Sequence, residues 1–366
     1  MASRPAAIPT ILEGTAFYYL AEGAANIVYQ VSTPWRQSTP EPSLVEEYGD
    51  GTPPPSIIDD ISPGPLEENI YEGKSFSHRA PCYIAQANWE RLIQPLFPPH
   101  QLVGQALLDI QPGHIVAKLN EDLHDWENGK NPTNGSLDPT TPRPTKRQRI
   151  YLADDNHALL VKDMTSRTAA FQQLNLVEFK PKWLAQSPSA PQYSKRCRQC
   201  ARMARINAER ARKKEPPMTF YCPLDLTSRK DEGMNHVASL IVQSGVSNCQ
   251  IKRFAQWLEN TDILDNLKAR QIELDQIGVL RGDVNDERLL AAMTLRDCTV
   301  FVKCTSADNR EWEARIGDLD LKSKDKINYW RGIEWSLIEE GWYEGLEDYN
   351  DRQPLVCRLS RDLSGT

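Results

Sequence analysis

The chain has 366 residues, with 43 Lys or Arg against 50 Asp or Glu and a net charge of −7. That length suits two domains of roughly 100–200 residues each. The acidic balance excludes a protein that coats polyanions over its whole surface, so any anion site must be local. No apolar run approaches the ~20 residues of a membrane span, and the start, MASRPAAIPTILEG, lacks the basic and apolar regions of a signal peptide. A soluble intracellular protein is expected, with no membrane partner. Eight cysteines scattered over this length read as reduced thiols. Cys197-x-x-Cys200 is their one close pair, and no second CxxC or His pair stands near enough to complete a zinc site.

In chain order, FYYLAEGAANIVYQV alternates like two strands around a turn of small residues, Glu22-Gly23-Ala24-Ala25-Asn26. Such a turn lets backbone N–H groups approach a phosphate, although a tight hairpin without a ligand explains it equally well. From residue 32 to 71 the composition turns to Pro, Ser, Glu and Asp, which predicts an unpacked insertion. A helix is expected near NWERLIQPLF, a second loop over 128–149, and strands at HALLVKDM and LNLVEFK. These make an α+β first lobe, 1–162. The second lobe, 163–366, reads as mostly helical, with patterns over 195–214, NHVASLIVQSG, IKRFAQWLENTDILDNL, DERLLAAMTLRD and RGIEWSLIEEGWYEGL, interrupted by the strand-turn-strand CTVFVKCTSADNREWEARIG.

Three stretches carry chemistry. In EFKPKWL an extended chain sets Glu178, Lys180 and Lys182 on one face and Phe179 and Pro181 on the other. Proline marks a strand end or edge, and a solvated edge protected by lysines is the bland alternative. In Asp318-Leu319-Asp320-Leu321-Lys322 two carboxylates share a face with a lysine, a set able to hold a hard cation beside a phosphate, or simply an acidic turn. Asp297, in MTLRDC, precedes the strand-turn-strand and Asp318 follows it, the order of catalytic and metal-binding Asp in protein kinases, yet HRD, DFG and APE are missing. Nine Lys or Arg lie between Lys195 and Lys214, and in a helix Lys195, Arg198, Arg202 and Arg205 form one stripe that could meet several phosphates.

EGAANIVY, EFKPKWL, YCPLDL, MTLRDC and DLDLK, in this order and over nearly the whole chain, resemble the inositol-pentakisphosphate 2-kinase family. The resemblance implies a two-lobed kinase-like fold, with a smaller α+β N-lobe and a larger, mostly helical C-lobe carrying an expanded inositide-binding region. It implies ATP and Mg²⁺ as cofactors and transfer to the 2-hydroxyl of inositol pentakisphosphate. By motif, Glu22, Gly23, Ala24, Ala25 and Asn26 look like the loop over the ATP phosphates and Arg79 like the first-lobe cation. Asp163 and Met164 look like the segment beside adenine. Lys180 resembles the lysine near the transferred phosphate and Lys182 an inositide contact. Asp297 resembles the residue that accepts the hydroxyl proton, and Asp318 the metal ligand. Lys322, Lys326 and Trp330 fall where the family has Lys, Arg and Tyr on substrate phosphates, the last two being substitutions. Arg198 keeps a family arginine, and Arg202 stands where a histidine is usual. Plant members carry zinc between PLDL and MTxxDC. That interval here holds only His236 and Cys249, so no zinc is expected.

Two other classes stay open on sequence alone. A catalytically dead scaffold would keep the fold, and a nucleic-acid binder would use 195–214 and KRQR at 146–149. The latter offers no reason for EFKPK or DLDLK, so nucleic acid is not the expected partner. KRQR reads either as a nuclear-import patch, which makes the nucleus the expected compartment, or equally as a solvated basic loop, and a monomer is expected.

Overall fold

The computed structural model describes residues 8, 10–11, 15–22, 27–32, 81–110, 114–130, 142–153, 155–164, 176–228, 233–242, 246–304, 312–345 and 357–364. The turn residues 23–26, the Pro-rich stretch from 33 and Arg79 lie outside them. The described residues mix helix and strand, as an α+β chain should. They form two compact units, residues 1–88 with 103–165, and residues 89–102 with 166–366. No described helix is long and apolar enough to cross a membrane.

In the first unit β1 (Ala16–Glu22) and β2 (Ile27–Ser32) pair antiparallel, as the alternation of FYYLAEGAANIVYQV requires. After α1 (Cys82–Asn88), β3 (Gln105–Asp109) pairs antiparallel with β4 (His157–Val161), and α2 (Ile115–Glu127) lies between them in sequence. Leu108 and Ile110 are buried with Ile11, and Leu123 and Trp126 of α2 form a second small core against Tyr19 and Ile27. The expectation of an unpacked loop over 128–149 is corrected for its second half. Arg143 has a fully buried side chain that forms an ion pair with Glu127 and donates to the Ile150 carbonyl (2.7 Å). A buried arginine must find such partners, and they fix the segment around it.

The second unit begins with residues 89–102, which the sequence assigns to the first lobe. Their helix is irregular, a π turn over Trp89–Ile93 followed by a 3-10 turn over Gln94–Leu96. Pro95 has no N–H to continue a regular ladder. Strand β5 (Leu176–Phe179), also expected in the first lobe, instead forms the edge of a three-stranded antiparallel sheet with β6 (Thr299–Cys304) and β7 (Trp312–Gly317). Around it come α3 (Arg198–Arg212), α4 (Met234–Ile241), α5 (Asn248–Asn260), α6 (Ile263–Leu274), α7 (Glu287–Leu295), α8 (Ile327–Glu339) and α9 (Arg358–Ser364). The single pattern IKRFAQWLENTDILDNL divides into α5 and α6 at Thr261–Asp262. Val177, Phe179, Val300, Val302 and Ile316 of the sheet pack against Phe254, Leu258, Leu264 and Leu267 in one apolar core. Burying such side chains contributes about 1.5–3 kcal/mol each relative to exposure.

Candidate active site

The strand register brings the sequence motifs together. Phe179 pairs with Val300, and carrying the antiparallel register past that pair sets Lys182 opposite Asp297. Thr299 pairs with Gly317, so Asp318 falls opposite Cys298, beside Asp297. One end of the sheet therefore gathers EFKPK, MTLRDC and DLDLK. The strand proper stops at Phe179, and beyond it Pro181, Trp183 and Leu184 are buried while Lys180 and Lys182 are half-buried with their ammonium groups at Asp297.

Three ammonium groups surround the Asp297 carboxylate. Lys182 Nζ lies 2.9 Å from Oδ1, Lys322 Nζ 2.5 Å from Oδ2, and Lys180 Nζ 3.6 Å from Oδ1. Lys180 Nζ also donates to the Asp297 carbonyl (3.1 Å) and to Asp318 Oδ2 (2.9 Å). Burial alone would raise the Asp297 pKa. The charges of Lys182, Lys322 and Lys180, with the Lys322 hydrogen bond, outweigh it and hold the carboxyl well below its ordinary range.

Two of these residues hold strained backbone, Lys182 at φ 56° and Asp318 at φ 55°. For residues with a Cβ the left-handed region costs about 1–3 kcal/mol, and such strain persists only where neighbours over-determine it. At Lys182 they do. The buried Gln271 side chain donates to the carbonyls of Lys182 (2.9 Å) and Leu295 (3.0 Å) and accepts from the Leu184 N–H (2.9 Å). Tyr221 donates its hydroxyl to the Lys180 carbonyl (2.8 Å). Lys322 is aligned by Thr294, whose Oγ1 accepts from the Lys322 N–H (3.0 Å).

Arg198 and Trp330 have positions that their expected substrate contacts do not suggest. Arg198 Nε meets Glu334 Oε2 at 2.6 Å, with side chains 4% and 0% exposed, and its guanidinium lies 4.3 Å from the Trp183 ring centroid. Arg296, paired with Asp275 at 2.6 Å, lies 3.7 Å from the same ring. Trp330 is buried with Trp183, Leu290, Met293 and Ile327. Both residues thus pack around Trp183, next in sequence to Lys182. The expected four-residue basic stripe is corrected. Helix α3 starts only at Arg198, so Lys195 precedes it, and Arg205 is shared with Glu209 (3.3 Å) and Glu340 (3.8 Å). Arg202 follows one turn after Arg198 and is half-buried, and Lys326 is exposed at the start of α8. In the first unit Asp163 and Met164 are buried just after β4. Glu22 ends β1, while Gly23, Ala24, Ala25, Asn26 and Arg79 lie outside the described residues.

The supports Gln271, Trp183, Tyr221, Arg296, Asp275 and Glu334 are absent from the sequence reading. Glu334 did leave a trace, because it shares a helical stripe with Ile327, Trp330 and Leu337, where an acid is out of place. The premise that nothing completes Cys197-x-x-Cys200 is also corrected. Cys222 and Cys357 join the pair, and the four buried sulfur atoms all lie within 4.8 Å of one another. Cys357 stands 160 residues after Cys197, beyond the reach of a local spacing motif.

A family model described as inositol-pentakisphosphate 2-kinase matches residues 19–335. Proteins named inositol-pentakisphosphate 2-kinase are similar to parts of the chain. The one from Yarrowia lipolytica is 36% identical over 173 residues, 46% of this chain and 53% of the relative. The one from Kluyveromyces lactis is 31% identical over 160 residues, 44% of this chain and 48% of the relative. The chain thus spans about half the length of these relatives. The Saccharomyces cerevisiae protein of that name is 51% identical over a shorter stretch of 49 residues, 13% of this chain and 17% of the relative. Because the family model covers most of the chain, including all three motifs that meet at the sheet end, the chain belongs to the inositol-pentakisphosphate 2-kinase family.

Proposed function

We propose that the chain transfers the γ-phosphoryl group of ATP to the 2-hydroxyl of inositol 1,3,4,5,6-pentakisphosphate, giving inositol hexakisphosphate. The observation that carries this reading is the Asp297 carboxylate ringed by Lys180, Lys182 and Lys322. Phosphoryl transfer asks little covalent work of a protein beyond positioning and charge stabilisation. In this reading Asp297 accepts the hydroxyl proton, Lys180 neutralises the transferred group, and Lys182 and Lys322 face phosphates of the inositide. A carboxylate held so acidic is a weak base while all three cations are directed at it. As the lysines share their charge with arriving phosphates, its basicity rises, so substrate binding itself prepares the proton acceptor.

Asp318 suits a hard cation because it is an exposed carboxylate next to this cluster. Mg²⁺ held there would neutralise charge on the triphosphate as the phosphoryl group leaves. Residues 22–26 and Arg79 are proposed for the ATP phosphates, Asp163 and Met164 for adenine, and Arg202 and Lys326 for further inositide phosphates. Arg198 and Trp330 would act by packing around Trp183 and keeping Lys182 aligned. The two units are taken as the lobes of a kinase-like fold, the sequence boundary at 162–163 lying close to the division at 165. A monomer, and nuclear residence through KRQR, belong to the same proposal. The test is to incubate the chain with labelled ATP, Mg²⁺ and inositol 1,3,4,5,6-pentakisphosphate. Label on the axial 2-position supports the reading, and label elsewhere or no transfer contradicts it.

A further inference from the structure

We infer that Cys197, Cys200, Cys222 and Cys357 bind one structural zinc ion as a four-thiolate site. The cysteines come from three separate stretches: the N-terminal end of α3, the YCPLDL turn and the residue before α9. Their side chains are buried together. Two Sγ–Sγ separations, Cys197 to Cys222 and Cys222 to Cys357, are 3.8 Å. A sulfur tetrahedron with Zn–S of about 2.3 Å has edges of about 3.8 Å. A disulfide would need about 2.05 Å between sulfurs, whereas four buried thiols from three stretches converge within 4.8 Å of one another, a ligand number and donor type that close a structural zinc site. Cys298 supplies the contrast, a solitary buried thiol that donates to the Leu295 carbonyl (3.2 Å) as an ordinary core residue does.

The surroundings suit an anionic sulfur cluster. The Cys197 backbone N–H donates to Cys357 Sγ (3.1 Å), the kind of outer contact that orients a metal-bound thiolate. No fifth polar side chain is needed, since four thiolates close a structural zinc site. The ion would tie the C-terminal helix to the body of the second unit. Existing contacts already lead that way, with Ser360 Oγ donating to the Lys195 carbonyl (2.6 Å) and Arg361 paired with Asp225. Two ligands also sit beside residues that support the candidate active site. Tyr221, before Cys222, holds the Lys180 carbonyl, and Arg198, after Cys197, lies over Trp183. This position differs from the interval between PLDL and MTLRDC in which zinc was sought from the sequence.

The test needs no substrate, so its outcome is independent of the kinase reading. The full chain, purified without chelator, is assayed for metals by plasma mass spectrometry and is expected to hold about one zinc per chain. Mercurial titration of the native protein should release that zinc as four thiols react. Cys222→Ser and Cys357→Ser should each lower bound zinc at least fivefold, whereas Cys249→Ser, at an exposed position outside the cluster, should leave it unchanged. If the serine variants do not fold, zinc-edge X-ray absorption on the unaltered chain decides, with four sulfurs at about 2.3 Å expected. A folded chain without metal, iron in place of zinc, nitrogen or oxygen ligands on the zinc, or a disulfide among these cysteines would overturn the assignment.

Discussion

At the residue scale, Asp297 is the centre of the candidate site, and its ionisation makes a prediction about stability. Its folded pKa is depressed below the ordinary carboxyl value of about 3.9, so its pairing stabilises the fold above that value and is lost as pH falls towards the lower folded one. The stability gap between the unaltered chain and Asp297→Asn should therefore be constant above about pH 5 and close below about pH 4. Denaturant unfolding across that range checks it, and a gap that widens in acid would contradict the assignment. Asp318 gives a second prediction, from its left-handed backbone. Glycine relieves that strain and alanine does not, so Asp318→Gly should be more stable than Asp318→Ala by about 1–2 kcal/mol while both lose phosphoryl transfer. Thermal unfolding and a transfer assay on the same preparations separate the two effects. Lys182→Ala should weaken inositide binding far more than ATP binding, and calorimetric titrations showing equal losses would count against its proposed role.

At the element scale, the strands and helices were legible where periodicity was strong. The β1–β2 and β6–β7 pairs follow from alternation, and α3, α4 and α7 from apolar stripes. Partnership was not legible. Nothing in LNLVEFK says whether its edge pairs within the first lobe or with β6, because strand pairing is decided by the packed core and not by the strand. Nor does CRQCARM reveal that Arg198 meets an acid on α8. The Arg198–Glu334 pair is buried, and Glu334 also accepts from Ser187 Oγ and Tyr343 OH, both at 2.7 Å. Burial alone would raise the Glu334 pKa, but Arg198 and these hydroxyls lower it. Removing one member strands a charge in a dry interior, so Glu334→Ala should destabilise the chain by about 3–5 kcal/mol. The shift in urea midpoint measures it, and a change below about 1 kcal/mol would mean that Arg198 finds another partner.

At the scale of the whole molecule, an acidic chain carries a concentrated basic centre. A net charge of −7 predicts general repulsion of polyanions, while the ammonium groups of Lys180, Lys182 and Lys322 lie within 3.6 Å of a single carboxylate. Type and order pointed to Asp297 and Asp318 as in protein kinases, and the family resemblance joined EFKPK to them, although 115 residues separate Lys182 from Asp297. The sheet register supplied their meeting. What the sequence did not disclose are contacts with no local pattern, namely Gln271 bridging two carbonyls and Cys357 closing the thiol cluster.

The central claim is that Asp297 serves the chemistry while Lys182 and Lys322 serve inositide binding. It is tested most directly by measuring inositol 1,3,4,5,6-pentakisphosphate affinity and turnover on Asp297→Asn and the unaltered chain together. The account predicts that turnover falls roughly 10²-fold or more, in the range of a positioned acid–base group. Affinity should be unchanged or tighter, because Lys182 and Lys322 lose the carboxylate that competes with phosphate. Turnover that survives the substitution, or a loss explained wholly by weaker binding, would contradict it.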